Sequence, residues 1–207
     1  MTDYRAIMER VGIREWVGER GVLEVWIWGY HGGVVDLWES NMAGPFGDIS
    51  NSDRDPGDLP VLGRTYTVYH YNYGRGVSEA VENHMHQLEA LFRHADEELF
   101  WNRFVGKVRE GRCGWSHFPP NGGRDYDWSN RTLIQTDIEE WQPGGGPKQW
   151  LDCRRWGGDS LTWFIYWMQN IPGRDNGLEY EGRPLSNWWR FVGDFDEANR
   201  SGANLAG

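Results

Sequence analysis

The apolar positions of the first hundred residues follow helical spacing, then strand spacing, then helical spacing again. A helical stripe covers residues 3–19, with Asp3 as the candidate N-cap. Residues 22–28 and 64–73 are rich in β-branched and aromatic side chains and predict two strands. Apolar residues then recur every three or four positions over 77–99, which predicts an amphipathic helix of about 20–25 residues. This order predicts an α/β fold in which helices pack on a small layered sheet.

The second half of the chain has little regular periodicity. Gly, Pro, Trp and Asp dominate from residue 106, and one capped, ring-rich helix is predicted at 161–170. Ten of the 14 Trp lie at or after Trp101, so we expect Trp to fill the gaps that irregular chain leaves. We predict a single domain, in which residues 1–105 form the α/β part, 106–195 form an irregular Trp/Gly/Pro-rich part and 196–207 form a frayed tail. Four Trp are expected in the core: Trp26 and Trp28 on a strand, and Trp163 and Trp167 on a helix.

Charge limits the classes of partner. The chain has 207 residues and a formal net charge of -10, and its Arg are scattered among 31 acidic residues. This disfavours nucleic acid and anionic membrane surfaces, and favours a neutral polymer or a small-molecule substrate.

Cys113 and Cys153 can form either one disulfide or two buried thiols. Oligomeric state and cellular location, secreted or cytoplasmic, stay open.

The strongest candidate site lies on the long predicted helix. Helical spacing places Glu82, His86 and Glu89 on one face, where an imidazole with carboxylates at i−4 and i+3 suits a metal ion or an acid/base pair. The structural alternative is a solvated polar face, with His84 hydrogen-bonded in the core.

A second polar group surrounds a rigid Pro-Pro-Asn turn. His117, Asn121, Asp125 and Asp127 belong to it, and Trp115 and Trp128 flank it. Such a turn holds its neighbouring side chains in place, as a binding site requires. Equally, Asn and Asp in loops often only hydrogen-bond the irregular backbone.

The connection of about 30 residues between the two predicted strands, from Tyr30 to Gly63, is long enough to be functional, and it contains Trp38 and Glu39. Its Asn51, Asp53 and Asp55 resemble the start of a calcium loop, but no Glu closes it, and a solvated acidic turn is favoured. After the second strand, Gly74-x-Gly76 lacks the third glycine of a dinucleotide fingerprint, so we predict no nucleotide cofactor. Asn72 and Arg75 at this junction are candidates for holding substrate.

Five short segments resemble a group of uncharacterised bacterial and fungal proteins that are often secreted. They are Glu-Val-Trp-Ile-Trp-Gly at 24–29, Asn-Tyr-x-Arg-Gly at 72–76, the helix segment 85–89, His-Phe-Pro-Pro-Asn…Asp-Tyr-Asp-Trp at 117–128, and Asn-Trp-Trp at 187–189. The resemblance spans roughly residues 20–195. It implies no activity and assigns no role to any residue.

The function favoured by these patterns is a metal-dependent or acid/base hydrolase acting on an extracellular polymer, either glycan or peptide. A divalent metal (Zn or Ca) would be bound by His86, Glu89 and His117. The predicted catalytic residues are Glu39, Glu82, His86, Glu89 and Asn121. The predicted substrate-binding residues are Trp38, Asn72, Arg75, Trp115, Asp125, Asp127 and Trp128. The alternatives are a carbohydrate-binding module with exposed Trp platforms, and a self-assembling interaction protein.

Overall fold

The computed structural model combines helices with small sheets, 36% helix and 15% strand, so the expected mixture of α and β structure is confirmed. The chain divides into two compact units, one made of residues 1–91 and 194–201 and the other of residues 92–193 and 202–207. The structure describes residues 2–29, 38–51, 55, 57–106 and 113–207.

The first unit begins with two short helices, α1 (Tyr4–Arg10) and α2 (Ile13–Gly18). Asp3 caps α1 as predicted, since its carboxylate accepts a hydrogen bond from the backbone N–H of Ala6 at 2.9 Å. Gly12 lies between the helices with φ +70°, a left-handed conformation that favours glycine. The single helix predicted here is therefore broken in two at this glycine.

A three-stranded sheet follows, with strand order β1-β3-β2. Its strands are β1 (Glu24–Gly29), β2 (Ser40–Ala43) and β3 (Tyr66–Asn72), and β1 is parallel to β3 whereas β2 is antiparallel to it. The two longer strands were predicted. β2 was not, because its sequence Ser-Asn-Met-Ala has no β-branched or aromatic residue; its four residues are nevertheless all buried.

The two faces of β1 have opposite environments. Val25 and Ile27 pack against a core cluster contributed by α1, α2 and the sheet. On the other face, Trp26 is 57% exposed and Trp28 is 46% exposed. The prediction that both Trp are core residues is therefore wrong, because β1 is an edge strand and only one of its faces is covered. The buried members of the cluster are Tyr4, Met8, Ile13, Val17, Ala43, Leu59, Tyr66 and Val68.

Helix α3 (Val77–Ala95) follows β3 and is fixed to the sheet by amide side chains. Asn83 donates from Nδ2 to the His70 carbonyl of β3 at 3.0 Å. Gln87 donates from Nε2 to the Ile49 carbonyl at 2.6 Å and accepts a hydrogen bond from the Ser40 hydroxyl of β2 at 2.6 Å. The helix ends four residues before the predicted limit, and a π-helical segment, Glu98–Val105, follows.

The second unit contains short elements between irregular segments. In neither unit does the described part of the chain contain a helix with the length and apolar character of a membrane span. Besides the π-helical segment and two 3₁₀ turns, the elements are β4 (Ile134–Thr136), β5 (Gln149–Leu151), α4 (Ser160–Gln169), β6 (Glu179–Tyr180), β7 (Arg183–Pro184) and α5 (Arg190–Gly193). β4 pairs with β5 and β6 pairs with β7, both antiparallel.

Buried indole rings hold this second unit together. Trp163 and Trp167 on α4 are fully buried, as predicted, and Trp188 is too. Their N–H groups donate to backbone carbonyls, for example from Trp167 Nε1 to Gly114 O at 2.9 Å. No disulfide joins Cys113 to Cys153; both are buried thiols.

The last residues are ordered rather than frayed as expected. Phe195–Arg200 forms α6, which belongs to the first unit, and Leu205 and Ala206 have no exposed surface. Asp196 of α6 is 1% exposed and binds Thr65, just before β3, through both carboxylate oxygens. The Thr65 N–H lies 2.9 Å from Oδ2 and its hydroxyl lies 2.5 Å from Oδ1. Both donors are buried with the carboxylate, so α6 is an integral part of the first unit.

We expect Asp196→Ala to lower the free energy of unfolding by about 2–3 kcal/mol, because it leaves two buried donors of Thr65 without an acceptor. Chemical denaturation measures this change. Glu197→Gln, at an exposed position of the same helix, is the matched control and should change stability by about 0.5 kcal/mol or less. Equal effects of the two substitutions would contradict the proposed role of Asp196.

Candidate functional site

Carboxylates surround the buried imidazole of His86 on α3, whose side chain is 10% exposed. Its Nδ1 lies 3.3 Å from Glu89 Oε2. Its Nε2 lies 3.8 Å from Glu39 Oε2 and 3.9 Å from Glu82 Oε1. Glu82 and Glu89 thus both lie close to His86 on one face of α3, and the Glu39 carboxylate lies near its Nε2.

The backbone brings Glu39 to this face. Glu39 directly precedes β2, and its carbonyl accepts a hydrogen bond from the His70 N–H of β3 at 3.3 Å. Because β2 is antiparallel to β3, the start of β2 lies near the carboxyl end of β3. The turn from β3 into α3 carries Arg75 at the same end, which is where ligands commonly bind in open α/β sheets.

Two of the carboxylates are oriented by further side chains. Arg75 donates from Nη2 to Glu82 Oε2 at 3.0 Å, so that the other oxygen of Glu82 faces His86. Asn51 donates from Nδ2 to Glu39 Oε2 at 2.6 Å. Arg75 also lies 3.8 Å from Glu79 Oε1. The guanidinium predicted to hold substrate therefore pairs with two glutamates of its own chain, although it is half exposed.

Four carboxylates lie close to Arg75 and His86 among the described residues of the first unit, namely Glu39, Glu79, Glu82 and Glu89. Burial raises the pKa of Glu79, and the nearby Arg75 opposes this only in part. Burial alone would lower the pKa of His86. The hydrogen bond and charge of Glu89, with the charges of Glu39 and Glu82, outweigh it and raise that pKa above its ordinary value.

On its Nε2 side, His86 faces one carboxylate oxygen from each of Glu39 and Glu82. Metal–ligand bonds of about 2.0–2.2 Å place neighbouring ligand atoms about 3.0–3.5 Å apart. The distances from Nε2 to Glu39 and Glu82, 3.8 and 3.9 Å, need a contraction of a few tenths of an ångström. Glu89 is instead on the Nδ1 side, where a carboxylate orients a metal-bound imidazole. The arrangement therefore fits Glu89 as an orienting group better than as the predicted ligand.

His117 belongs to the second unit, where its ring lies 4.5 Å from that of Tyr126. That His117 is a metal ligand stays a prediction.

The polar residues of the Pro-Pro-Asn segment hold their own loop. Asn121 donates from Nδ2 to the carbonyls of Asn130 and Thr132, at 2.8 and 2.9 Å. Asp127 accepts from the Gly123 N–H at 2.8 Å, a bond that keeps the pKa of its carboxyl below the usual value. These contacts support the structural interpretation of Asn121 and Asp127. Asp125 is exposed.

The three aromatic residues predicted to bind substrate, Trp38, Trp115 and Trp128, each pack against or hydrogen-bond to residues of their own unit. Trp128 donates from Nε1 to the Ser116 carbonyl at 3.0 Å, and Trp115 stacks on Phe118 with ring centroids 4.7 Å apart. In the first unit, Trp38 stacks on Tyr4 at 5.4 Å and packs against the core cluster.

The two loops proposed from sequence patterns have other local roles. Asn72 accepts from the Gly74 N–H at 2.8 Å, which closes the turn before α3. In the segment that resembles the start of a calcium loop, Asp53 lies outside the described residues, Asn51 binds Glu39, and Asp55 accepts from the Gly57 N–H at 2.8 Å. The described part of that loop thus contributes an orienting side chain to the His86 site.

Sequence reasoning missed three side chains that shape the site: Asn51, Asn83 and Gln87. The sequence favours a solvated acidic turn around Asn51, and no local pattern indicates its partner Glu39, 12 residues away. The buried Oδ1 of Asn83 has no hydrogen-bond partner among the described residues. Asn83 and Gln87 lie four residues apart on the polar face of α3. This spacing of two amide side chains was the one sequence feature that could have indicated that the face is buried against the sheet.

No protein-family model matches the chain, and no match was found among curated proteins or among solved structures. The resemblance to a group of often secreted proteins stays a prediction.

We expect the pKa of His86 in the metal-free protein to lie above about 6.5 and to fall in Glu89→Gln, which loses the charge that stabilises the imidazolium. Because the folded-state pKa is raised, protonated His86 stabilises the fold below about pH 6.5. That contribution is lost as the pH rises through the folded-state pKa. NMR titration of the ring nitrogens, assigned with His86→Gln, measures the value. Glu9→Gln, on the exposed face of α1, is the control; an unchanged pKa in Glu89→Gln would contradict the assignment.

Proposed function

We propose that the chain is a metal-dependent hydrolase whose metal ion binds His86 and Glu82, with Glu39 beside them. The observation that carries this proposal is the buried His86, which directs Nε2 at two carboxylates while Glu89 holds Nδ1. Of the two ions considered from the sequence, Zn²⁺ suits an imidazole-containing site better than Ca²⁺, which prefers oxygen ligands throughout.

Each side chain has a distinct task in this proposal. Glu89 keeps the imidazole proton on Nδ1, so that the Nε2 lone pair is available to the metal. Arg75 and Asn51 fix the orientation of Glu82 and Glu39. A bound zinc ion would supply a water molecule of lowered pKa, near 7 in other zinc hydrolases. The metal-free alternative is His86 acting as a general base whose proton affinity Glu89 increases.

We propose an extracellular, electrically neutral polymer, glycan or peptide, as the substrate. The net charge of -10 supports a neutral substrate because it repels polyanions. The resemblance to often secreted proteins supports the location.

We further propose a layered first unit, with the α1–α2 cluster on one face of the sheet and α3 on the other, and an irregular second unit in which Trp substitutes for regular structure. Val25 and Ile27 of β1 pack on the cluster, whereas Tyr69 of β3 stacks on His84 of α3 with ring centroids 4.0 Å apart.

Equilibrium dialysis against Zn²⁺ followed by elemental analysis tests the metal site. We expect one zinc ion per chain in the wild type and loss of binding in His86→Ala and Glu82→Gln. Glu89→Gln should weaken binding by about 10–100-fold, as is typical when an orienting partner is removed. Glu9→Gln, an exposed carboxylate, should bind normally. A wild-type protein that is folded but binds no zinc would contradict the proposal.

Hydrolysis is tested separately by measuring release of reducing ends from soluble glycans and of free amines from unfolded protein. Zinc-loaded wild type should cleave one of these substrates, and a chelator should abolish the activity. Activity that survives the chelator and is lost in His86→Ala would support the metal-free alternative. No cleavage of either substrate class would overturn the hydrolase proposal.

A further inference from the structure

Three exposed aromatic rings form a row at the outer side of the sheet in the first unit. Trp26 and Trp28 lie two residues apart on the same face of β1, a separation of about 6.6 Å along a strand. Tyr73 continues the row after β3, with its ring centroid 6.3 Å from that of Trp28 and the planes inclined by 27°. The three side chains are 57%, 46% and 65% exposed. We call Trp26, Trp28 and Tyr73 the aromatic row.

The rings of the aromatic row are held in place from behind. The buried Tyr71 contacts both indoles, at centroid distances of 5.8 Å from Trp26 and 4.8 Å from Trp28. Trp26 donates from Nε1 to Glu24 Oε2 at 3.1 Å. The Tyr73 N–H donates to the Gly29 carbonyl at 2.8 Å, which ties its backbone to the end of β1. A ligand that stacks on these rings therefore finds them already oriented.

The chemistry around the row matches a neutral, polyhydroxylated chain. Aromatic faces attract the C–H faces of sugar rings, and each of these rings also has a polar end for hydroxyl groups. Glu24, whose carboxylate is 40% exposed, supplies an acceptor for hydroxyls beside Trp26. The same carboxylate and the net charge of -10 repel polyanions and anionic lipid surfaces.

The row leads toward the end of the sheet that carries Arg75 of the candidate metal site. Tyr73 is two residues from Arg75, whose guanidinium binds Glu82 of that site. The row thus runs along β1 toward the carboxyl ends of β1 and β3, where Arg75 also lies. A chain lying on the rings would be directed toward the metal ligands.

We propose that the aromatic row binds a neutral saccharide chain and delivers it to the His86 site. This deepens the proposed function by choosing glycan over peptide as the substrate, and only the delivery step rests on that function. Binding by the row is independent of the metal. The sequence predicted that Trp38, Trp115 and Trp128 bind substrate. This proposal instead assigns saccharide binding to Trp26 and Trp28, which were expected in the core, together with Tyr73.

Affinity gel electrophoresis of the full chain in xylan, mixed-linkage β-glucan, galactomannan or glycol chitin tests the proposal. At least one polysaccharide should retard the wild type. Trp28→Ala should weaken that binding by about tenfold, equivalent to about 1.4 kcal/mol, whereas Trp28→Phe, which keeps a ring, should retain most of it. Trp150→Ala and Trp16→Ala, at positions 65% and 43% exposed elsewhere in the chain, are matched controls that should bind normally. Circular dichroism verifies that each variant is folded.

Retardation by none of the four polysaccharides would overturn the proposal, as would equal weakening in Trp28→Ala and Trp150→Ala. If Trp26→Ala and Trp28→Ala instead change the sedimentation coefficient and leave retardation unaltered, the row is a protein interface. His86→Ala separates the two proposals, since it should lose zinc and keep its retardation. A protein that binds glycan but no metal would overturn the proposed metal site and leave saccharide binding by the aromatic row unaffected.

Discussion

The structure of the first unit depends on the polar face that α3 buries. A buried polar group without a partner costs about 1–3 kcal/mol, so such a face must be matched by polar groups opposite it. Asn83 and Gln87 use their amides to bind the His70 and Ile49 carbonyls, which fixes the helix on the sheet. His86, on the same face, lies close to Glu82 and to Glu39. The buried polar face of α3 thus both holds the helix in place and brings the side chains of the candidate site together. The buried members of the face are Glu79, Glu82, Asn83, His86 and Gln87.

What could be predicted from the sequence is what depends on local spacing. The i−4 and i+3 positions of Glu82 and Glu89 around His86 follow from helical geometry alone, so they were found. The contact between Asn51 and Glu39 depends on tertiary structure, and no local sequence pattern indicates it. The error over Trp26 has the same origin. A strand with apolar residues on both sides looks fully buried, and only the strand order shows that β1 is an edge.

The second unit shows why a high Trp content need not indicate a ligand site. Irregular chain leaves carbonyls that no ladder or helix satisfies, and an indole offers one N–H donor together with a large apolar surface. Trp141, Trp156 and Trp163, for instance, each donate to a backbone carbonyl, at 2.8–3.1 Å. These hydrogen bonds support the proposal that the Trp of this unit substitute for regular structure. In the aromatic row, by contrast, the rings of Trp26 and Trp28 are largely exposed and the indole N–H of Trp26 pairs with an exposed carboxylate.

The negative charge around His86 would affect both the binding of a proton and the binding of a metal ion at this site. Among the described residues of the first unit, Arg75 and His86 lie close to four carboxylates, and the charges of Glu89, Glu39 and Glu82 raise the pKa of His86. A divalent ion at the proposed metal site would supply two positive charges, but it would need the Nε2 lone pair and would therefore displace a proton from that atom. Proton and metal would thus compete for one atom, so the affinity of the proposed site for metal would rise with pH until His86 is fully deprotonated. The carboxylates that would attract a cation also stabilise the proton that the cation would have to displace.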